Sequence, residues 1–274
     1  MYDIGTFYCQ LFAGIREGAA RDIDEAFALA RSHGITDVDF NAKEIDADTS
    51  ALLARTGMCA ASVHGTVVCD FENRERYLAS LDGMKRAMNK ALSVESPYFM
   101  CVPLAPSDMT PDKADDFKKA VRELIANVCE YAKNLPITVT VENYLRNDIP
   151  FSAYDDIAWL LENNTSLMFT YDSGNFILAG QDELEGARRF SDRTVYVHLK
   201  DLALTSGEGM ERSGKVYAST YLGGGFVRNI EALKVLRAAG FERGTLTLEV
   251  NSSLECFSRT LKSKEWLDAV LTQI

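Results

Sequence analysis

Thr194-Val195-Tyr196-Val197-His198-Leu199-Lys200-Asp201 opens as a strand and closes on chemistry. Its first half alternates β-branched and aromatic residues, the pattern of a short buried strand. Its second half delivers an imidazole, an ammonium and a carboxylate, groups with no packing reason to share a strand's carboxyl end. Three other runs close in a similar way: Ile137-Thr138-Val139-Thr140-Val141-Glu142-Asn143, Leu167-Met168-Phe169-Thr170-Tyr171-Asp172 and Thr245-Leu246-Thr247-Leu248-Glu249-Val250-Asn251. A buried carboxylate without a partner is costly. One partner would serve all four ends, a cation shared by Glu142, Asp172, His198 and Glu249.

Outward from these runs, apolar strands alternate with helical patterns along the whole chain. Strands are expected over 2–9, 35–40, 58–64, 98–102, 137–142, 167–172, 194–199 and 245–250. Helices are expected over 21–33, 48–56, 74–92, 110–133, 153–162, 183–190 and 229–239, with one more at the C-terminus. Gly34, Gly57 and Gly240 read as helix stops, and Thr110-Pro111 as a cap with proline at the first helical position. Gly65 reads as the end of strand three, and Pro103 and Pro106 as breaks after strand four. Strict alternation implies a parallel sheet. Eight units in 274 residues fit one (β/α)8 TIM barrel, a single domain over residues 1–274. An open doubly wound sheet is the alternative, and no G-x-G-x-x-G follows the first strand to support it. In a TIM barrel the carboxyl ends of the strands share one face, where active sites are built. Glu142, Asp172, His198 and Glu249 end strands five to eight and become neighbours there. The stretch 201–225 is too long for a tight connection and is expected to cover the site. Its Gly223-Gly224-Gly225 lacks a P-loop ending and reads as a place where backbone approaches a ligand.

Composition narrows the partners. The chain is 47% apolar, enough for a large core, and carries a formal net charge of −11. A nucleic-acid partner would need clustered Lys and Arg. Six cysteines without a C-x-x-C pair read as reduced thiols in a cytoplasmic protein. No signal peptide is evident, and no apolar run approaches the roughly 18 residues of a membrane span.

Three carboxylates and one imidazole make an oxygen-rich donor set. Mn²⁺ is the first expectation, with Mg²⁺, Co²⁺ and Zn²⁺ as alternatives. Such an ion has room for two adjacent substrate oxygens, a carbonyl and a hydroxyl, and would acidify the hydrogen beside them. A neighbouring carboxylate could then move the proton.

With V-E-N at Glu142, Y-D-S-G-N at Asp172, V-H-L-K-D at His198 and L-E-V at Glu249, the whole chain resembles the xylose isomerase-like TIM-barrel superfamily. The branch it resembles is that of sugar (phosphate) isomerases and epimerases. His64-Gly65 and Leu222-Gly223-Gly224-Gly225 add to the likeness. In the ketose 3-epimerases of this group such a quartet binds one divalent metal, and its two glutamates form the acid/base pair. The resemblance therefore places those roles on Glu142 and Glu249. It also implies a small carbohydrate substrate and a homodimer or homotetramer. Ser173-Gly174-Asn175 departs from the histidine that 3-epimerases usually carry after the metal-binding aspartate. Lys200-Asp201 departs from their Glu and Arg, and its H-x-K-D form is similar to inosose dehydratases. A dehydratase or lyase is thus the alternative reaction. DNA cleavage of the AP endonuclease type would ask for many histidines, and the chain has three. A non-catalytic sugar binder would be expected to have a broken ligand set.

Further residues are candidates with a bland reading beside the functional one. Lys200 could be a catalytic acid/base or bind a substrate oxygen, or simply pair with Asp201. His64 could hydrogen-bond a substrate hydroxyl, or pack. Asn143, Asn175 and Glu44 could touch substrate or support the site. Arg228 could hold an anionic group, or form a surface ion pair.

Overall fold

The computed structural model describes residues 2–145, 150–251 and 255–273. The chain opens with β1 (Tyr2–Phe7), α1 (Tyr8–Arg16), α2 (Ile23–Ser32), β2 (Asp37–Asn41) and α3 (Thr49–Thr56). It continues through β3 (Cys59–Val68), α4 (Arg74–Ser93), β4 (Tyr98–Leu104), α5 (Ala114–Ala132) and β5 (Thr138–Glu142). Then come α6 (Tyr154–Glu162), β6 (Met168–Asp172), α7 (Ser173–Leu178), α8 (Glu183–Phe190) and β7 (Thr194–Leu199). The last elements are β8 (Asp201–Thr205), β9 (Met210–Arg212), β10 (Lys215–Thr220), α9 (Asn229–Ala238), β11 (Gly244–Leu248) and α10 (Cys256–Leu271).

Strands β1, β11, β7, β6, β5, β4, β3 and β2 pair in that order into a closed parallel barrel, the expected (β/α)8 fold. The helices start where the sequence supplies caps. Asp22, Asn73 and Asp182 each accept a backbone N–H three residues on, at the starts of α2, α4 and α8. Outward-facing strand residues such as Val38, Val63, Phe99, Val139, Phe169, Val197 and Leu246 are buried under the helices. No helix among the described residues is long and apolar enough to cross a membrane. All six cysteines are free thiols.

The barrel's interior is unusually polar. Such interiors are dominated by Val, Ile and Leu. Here the middle layer holds Thr140, Thr170, Tyr196, Thr247, Asp39 and Ser62, all buried. Thr170 Oγ1 donates to Thr140 Oγ1 at 2.8 Å. Tyr196 reaches across the barrel to donate to Asp39 Oδ2 at 2.6 Å and meets Thr247 Oγ1 at 2.5 Å. This polar layer lies directly beneath the strand ends that carry the candidate chemistry.

Several boundaries differ from the sequence pattern, each for a local reason. β3 runs through Gly65 to Val68, because a side chain there would sit 2.5 Å from Phe99 and the glycine is a packing solution. β4 likewise runs through Pro103, which pairs with Val67. Helices α1 and α7 follow their strands almost without a loop, where the pattern shows none. The stretch 201–225 is not an irregular loop. It folds into a three-stranded antiparallel sheet in the order β8-β10-β9.

Candidate metal centre

The four polar strand ends meet. Glu142 is the last residue of β5, Asp172 the last of β6, His198 the fifth residue of β7, and Glu249 follows β11. These strands are consecutive in the barrel, with Asp172 paired to His198 in register. One ligand atom from each of the four residues lies within 4.8 Å of the others, so the group could hold a metal ion. His198 Nδ1 contacts Glu142 Oε1 and lies 3.6 Å from Glu249 Oε2. Rings hold the imidazole on two sides, Phe7 at 5.1 Å and Tyr196 at 5.3 Å between centroids. The side chains of His198 and Asp172 are 1% and 0% exposed, against 19% for Glu142 and 11% for Glu249. The two glutamates therefore form the edge of the cluster that meets the barrel mouth.

Lys200 enters the same cluster. Its ammonium lies 2.8 Å from Asp172 Oδ2, 2.8 Å from Glu249 Oε1 and 2.8 Å from Asn175 Oδ1. The expected bland partner, Asp201, is turned elsewhere. The S-G-N turn after Asp172 is built around this lysine. Ser173 bonds its backbone, Asn175 accepts from its ammonium, and a side chain at Gly174 would sit 2.7 Å from its Cδ and Cγ. Asp172 also caps α7 by accepting from Asn175 N at 2.9 Å.

These contacts set the charges. Burial alone would lower the Lys200 ammonium, but Asp172, Glu249 and Glu142 raise it, so it stays charged. Burial would lower His198 too, and Glu142 and Asp39 overcome it and raise it well above the ordinary value. Burial pushes Asp172 up to about 8, with Lys200 opposing and the two glutamates adding. Burial also raises Glu249, yet Lys200 and His198 hold it down to about 2. A cluster this rich in carboxylate oxygen, with one imidazole nitrogen, fits a divalent cation in its donor chemistry.

The other candidates are placed as follows. Asn175 donates to Glu142 Oε2 at 3.3 Å and to Asn143 O at 3.1 Å. Asn143 clasps the backbone of Asp172, donating to its carbonyl and accepting from its N–H, each at 3.1 Å. Both amides are thus engaged within the protein. His64 is half-buried within β3, which runs four residues beyond it, edge-on to Phe7, with Nδ1 unpartnered and its basicity lowered by burial. Glu44 accepts from Asn41 N at 2.7 Å in the turn after β2. Arg228 does not join the cluster. Its guanidinium binds Glu183 at 2.8 Å and Asp182 at 2.6 Å and fastens α9 to α8. The glycine run approaches protein rather than an open ligand position. Asp201 accepts from the N–H groups of Leu202, Gly223, Gly225 and Val227, and Gly223 packs on Trp266.

Two residues escape the sequence pattern. Asn251 donates to Glu249 Oε1 at 2.7 Å, two residues along. Asp39, in the middle of β2, lies with its Oδ2 3.3 Å from His198 Nε2. The signal for Asp39 is a charged residue inside the apolar Val38–Phe40 run, though nothing local says what it meets.

Residues 22–270 match the family model described as Xylose isomerase-like TIM barrel. No curated protein matches the chain. Solved structures match its fold along almost the whole length. One is the IolI protein with a bound zinc atom, at 13% identity and TM-score 0.76, covering 99% of each chain. Another is D-allulose 3-epimerase from Methylomonas sp. with D-allulose, at 16% identity and TM-score 0.74, covering 98% of this chain and 96% of that one. A third is 3-keto-D-glucoside 4-epimerase from E. coli, at 16% identity and TM-score 0.70, covering 98% and 100%.

Proposed function

The chain belongs to the xylose isomerase-like TIM barrel family, and on that premise we propose that it is a divalent-metal-dependent isomerase or epimerase of a small polyhydroxy carbonyl compound. Glu142, Asp172, His198 and Glu249 would hold the ion, with Mn²⁺ as the first choice. When bound, the cation supplies Lewis-acid polarisation of a substrate carbonyl and so acidifies the neighbouring C–H. The observation that carries the reading is the uneven exposure of the quartet, in which only the two glutamates reach the mouth. Glu142 ends β5 and Glu249 follows β11, with the ends of β6 and β7 between them. One would take a proton from one face of the substrate carbon and the other return it to the opposite face. Asn175 and Asn251 each donate to one of these carboxylates and orient it. Lys200, held as an ammonium, acts as a fixed positive charge and not as a base. His64 is neutral and free to bond a substrate hydroxyl.

A lyase reading has one observation in its favour. A buried ammonium beside Glu249 can give a proton to a departing hydroxyl, so dehydration would share the first proton abstraction with epimerisation. Both readings are tested by incubating the protein with Mn²⁺ and a panel of ketoses, aldoses, inososes and keto-glycosides in D₂O. Deuterium next to the carbonyl of a recovered or rearranged sugar supports the proposal, and an unsaturated product selects the lyase. No exchange with any member of the panel sinks both.

A further inference from the structure

One more carboxylate faces the cluster, from the other side of the barrel. Asp39 on β2 is 1% exposed, and its Oδ2 accepts from Tyr196 and lies 3.3 Å from His198 Nε2. Neither His198 Nε2 nor Asp39 Oδ1 has a hydrogen-bond partner of good geometry. The other ring nitrogen, Nδ1, is the one that faces Glu142 and Glu249. A ligating nitrogen must offer a lone pair, so a neutral imidazole bound through Nδ1 carries its one proton on Nε2. A fully buried N–H needs an acceptor. Among the described residues, Asp39 is the carboxylate that stands on that side of the ring.

We propose that Asp39 is the positioning residue of His198, accepting the Nε2 proton and thereby fixing Nδ1 as the nitrogen offered to the cation. Tyr196, anchored by Thr247, holds Asp39 in place. The rings of Phe7 and Tyr196, each edge-to-face with the imidazole, keep it from turning over. The middle-layer polarity described above then has a use. It carries one carboxylate to the back of a ligand, where partners of metal-bound histidines act with strong effect. The proposal rests on the metal-centre reading, and the experiment separates the two.

Protein labelled with ¹⁵N and loaded with Zn²⁺ should show, in a long-range ¹H–¹⁵N correlation spectrum, one histidine with zinc on Nδ1 and a protected proton on Nε2. That signal should vanish in His198→Ala. By calorimetry, Asp39→Asn should weaken Zn²⁺ binding by about 10- to 100-fold. Tyr196→Phe should weaken it less and shift the Nε2–H resonance. Thermal unfolding of the metal-free variants is the control. If the folded variants bind Zn²⁺ as wild type does and the His198 resonances do not move, Asp39 serves packing alone and the proposal fails. If wild-type His198 binds zinc through Nε2, the proposal fails without any variant while the metal centre stands. No zinc uptake at all overturns both.

Discussion

A lysine inside a ring of carboxylates changes what those carboxylates can do. Lys200 neutralises part of the charge that Asp172 and Glu249 would otherwise bring together. Removing one partner of a buried ion pair costs about 3–5 kcal/mol. Lys200→Met should therefore lower the melting temperature of the metal-free protein, and added Mn²⁺ should restore more stability to the variant than it gives wild type. Equal gains in calorimetry would argue against shared electrostatics. A second residue gives a pH test away from the centre. Asp37, at the start of β2, is pushed up to about 6 by burial, with Thr36 and Arg31 opposing and Asp3 and Asp39 adding. Its folded value stands above the ordinary value near 3.9, so the fold holds this proton more tightly than the unfolded chain does. The stability tied to that proton is complete below about pH 4 and lost as pH rises to about 6. Asp37→Asn should then exceed wild type by roughly 1–2 kcal/mol at pH 7.5, after discount for its partial exposure. It should match wild type at pH 4, with denaturant unfolding at both pH values as the measurement.

The small sheet of β8, β10 and β9 hangs from one side chain. Asp201 gathers four backbone N–H groups from both ends of the insert, and Phe226 N bonds Leu202 O at 3.0 Å to close its neck. Asp201→Ala leaves those donors without their charged acceptor, each such bond being worth about 1.5–3 kcal/mol. Hydrogen exchange should accelerate across residues 202–227 while the barrel strands keep their protection, and turnover should fall with it. Uniform acceleration would mean that the insert is part of the barrel's own stability. This element was not legible in the sequence. No helical pattern separates its strands, and Gly207, Gly209 and Gly214 fall in the turns that join them, so the whole stretch reads as a glycine-rich loop. Strands β5, β6, β7 and β11 were legible because each couples an apolar run to a polar end, and the other barrel strands because apolar runs alternate with helical patterns. Helix α7 was hidden because its first turn, Ser173-Gly174-Asn175, is spent on contacts with Lys200. The quartet itself could be read from strand order alone. Asp39, Asn251 and the pairings of Lys200 and Arg228 depend on which residues meet across space, and no local pattern carries that.

At the level of the molecule, a cation that binds only the folded chain stabilises it by mass action, about 2.7 kcal/mol at a hundredfold excess over the dissociation constant. For a chain of this size that is a rise of roughly 5–10 °C in melting temperature. Mn²⁺ should produce it in wild type and not in His198→Ala, and an equal rise in both would place the ion elsewhere. The polar middle layer of the barrel allows a different kind of test. Thr140 and Thr170 satisfy each other, so replacing both by Val should be neutral or stabilising, whereas either change alone orphans a buried hydroxyl at about 1–3 kcal/mol. On the opposite wall Asp39 and Tyr196 have no such freedom, because they lead to His198. The floor of this barrel thus has two histories open to it. Under selection for heat, descendants could turn the β5–β6 wall to oil and keep their chemistry. The wall between β2 and β7 would stay polar for as long as the protein works.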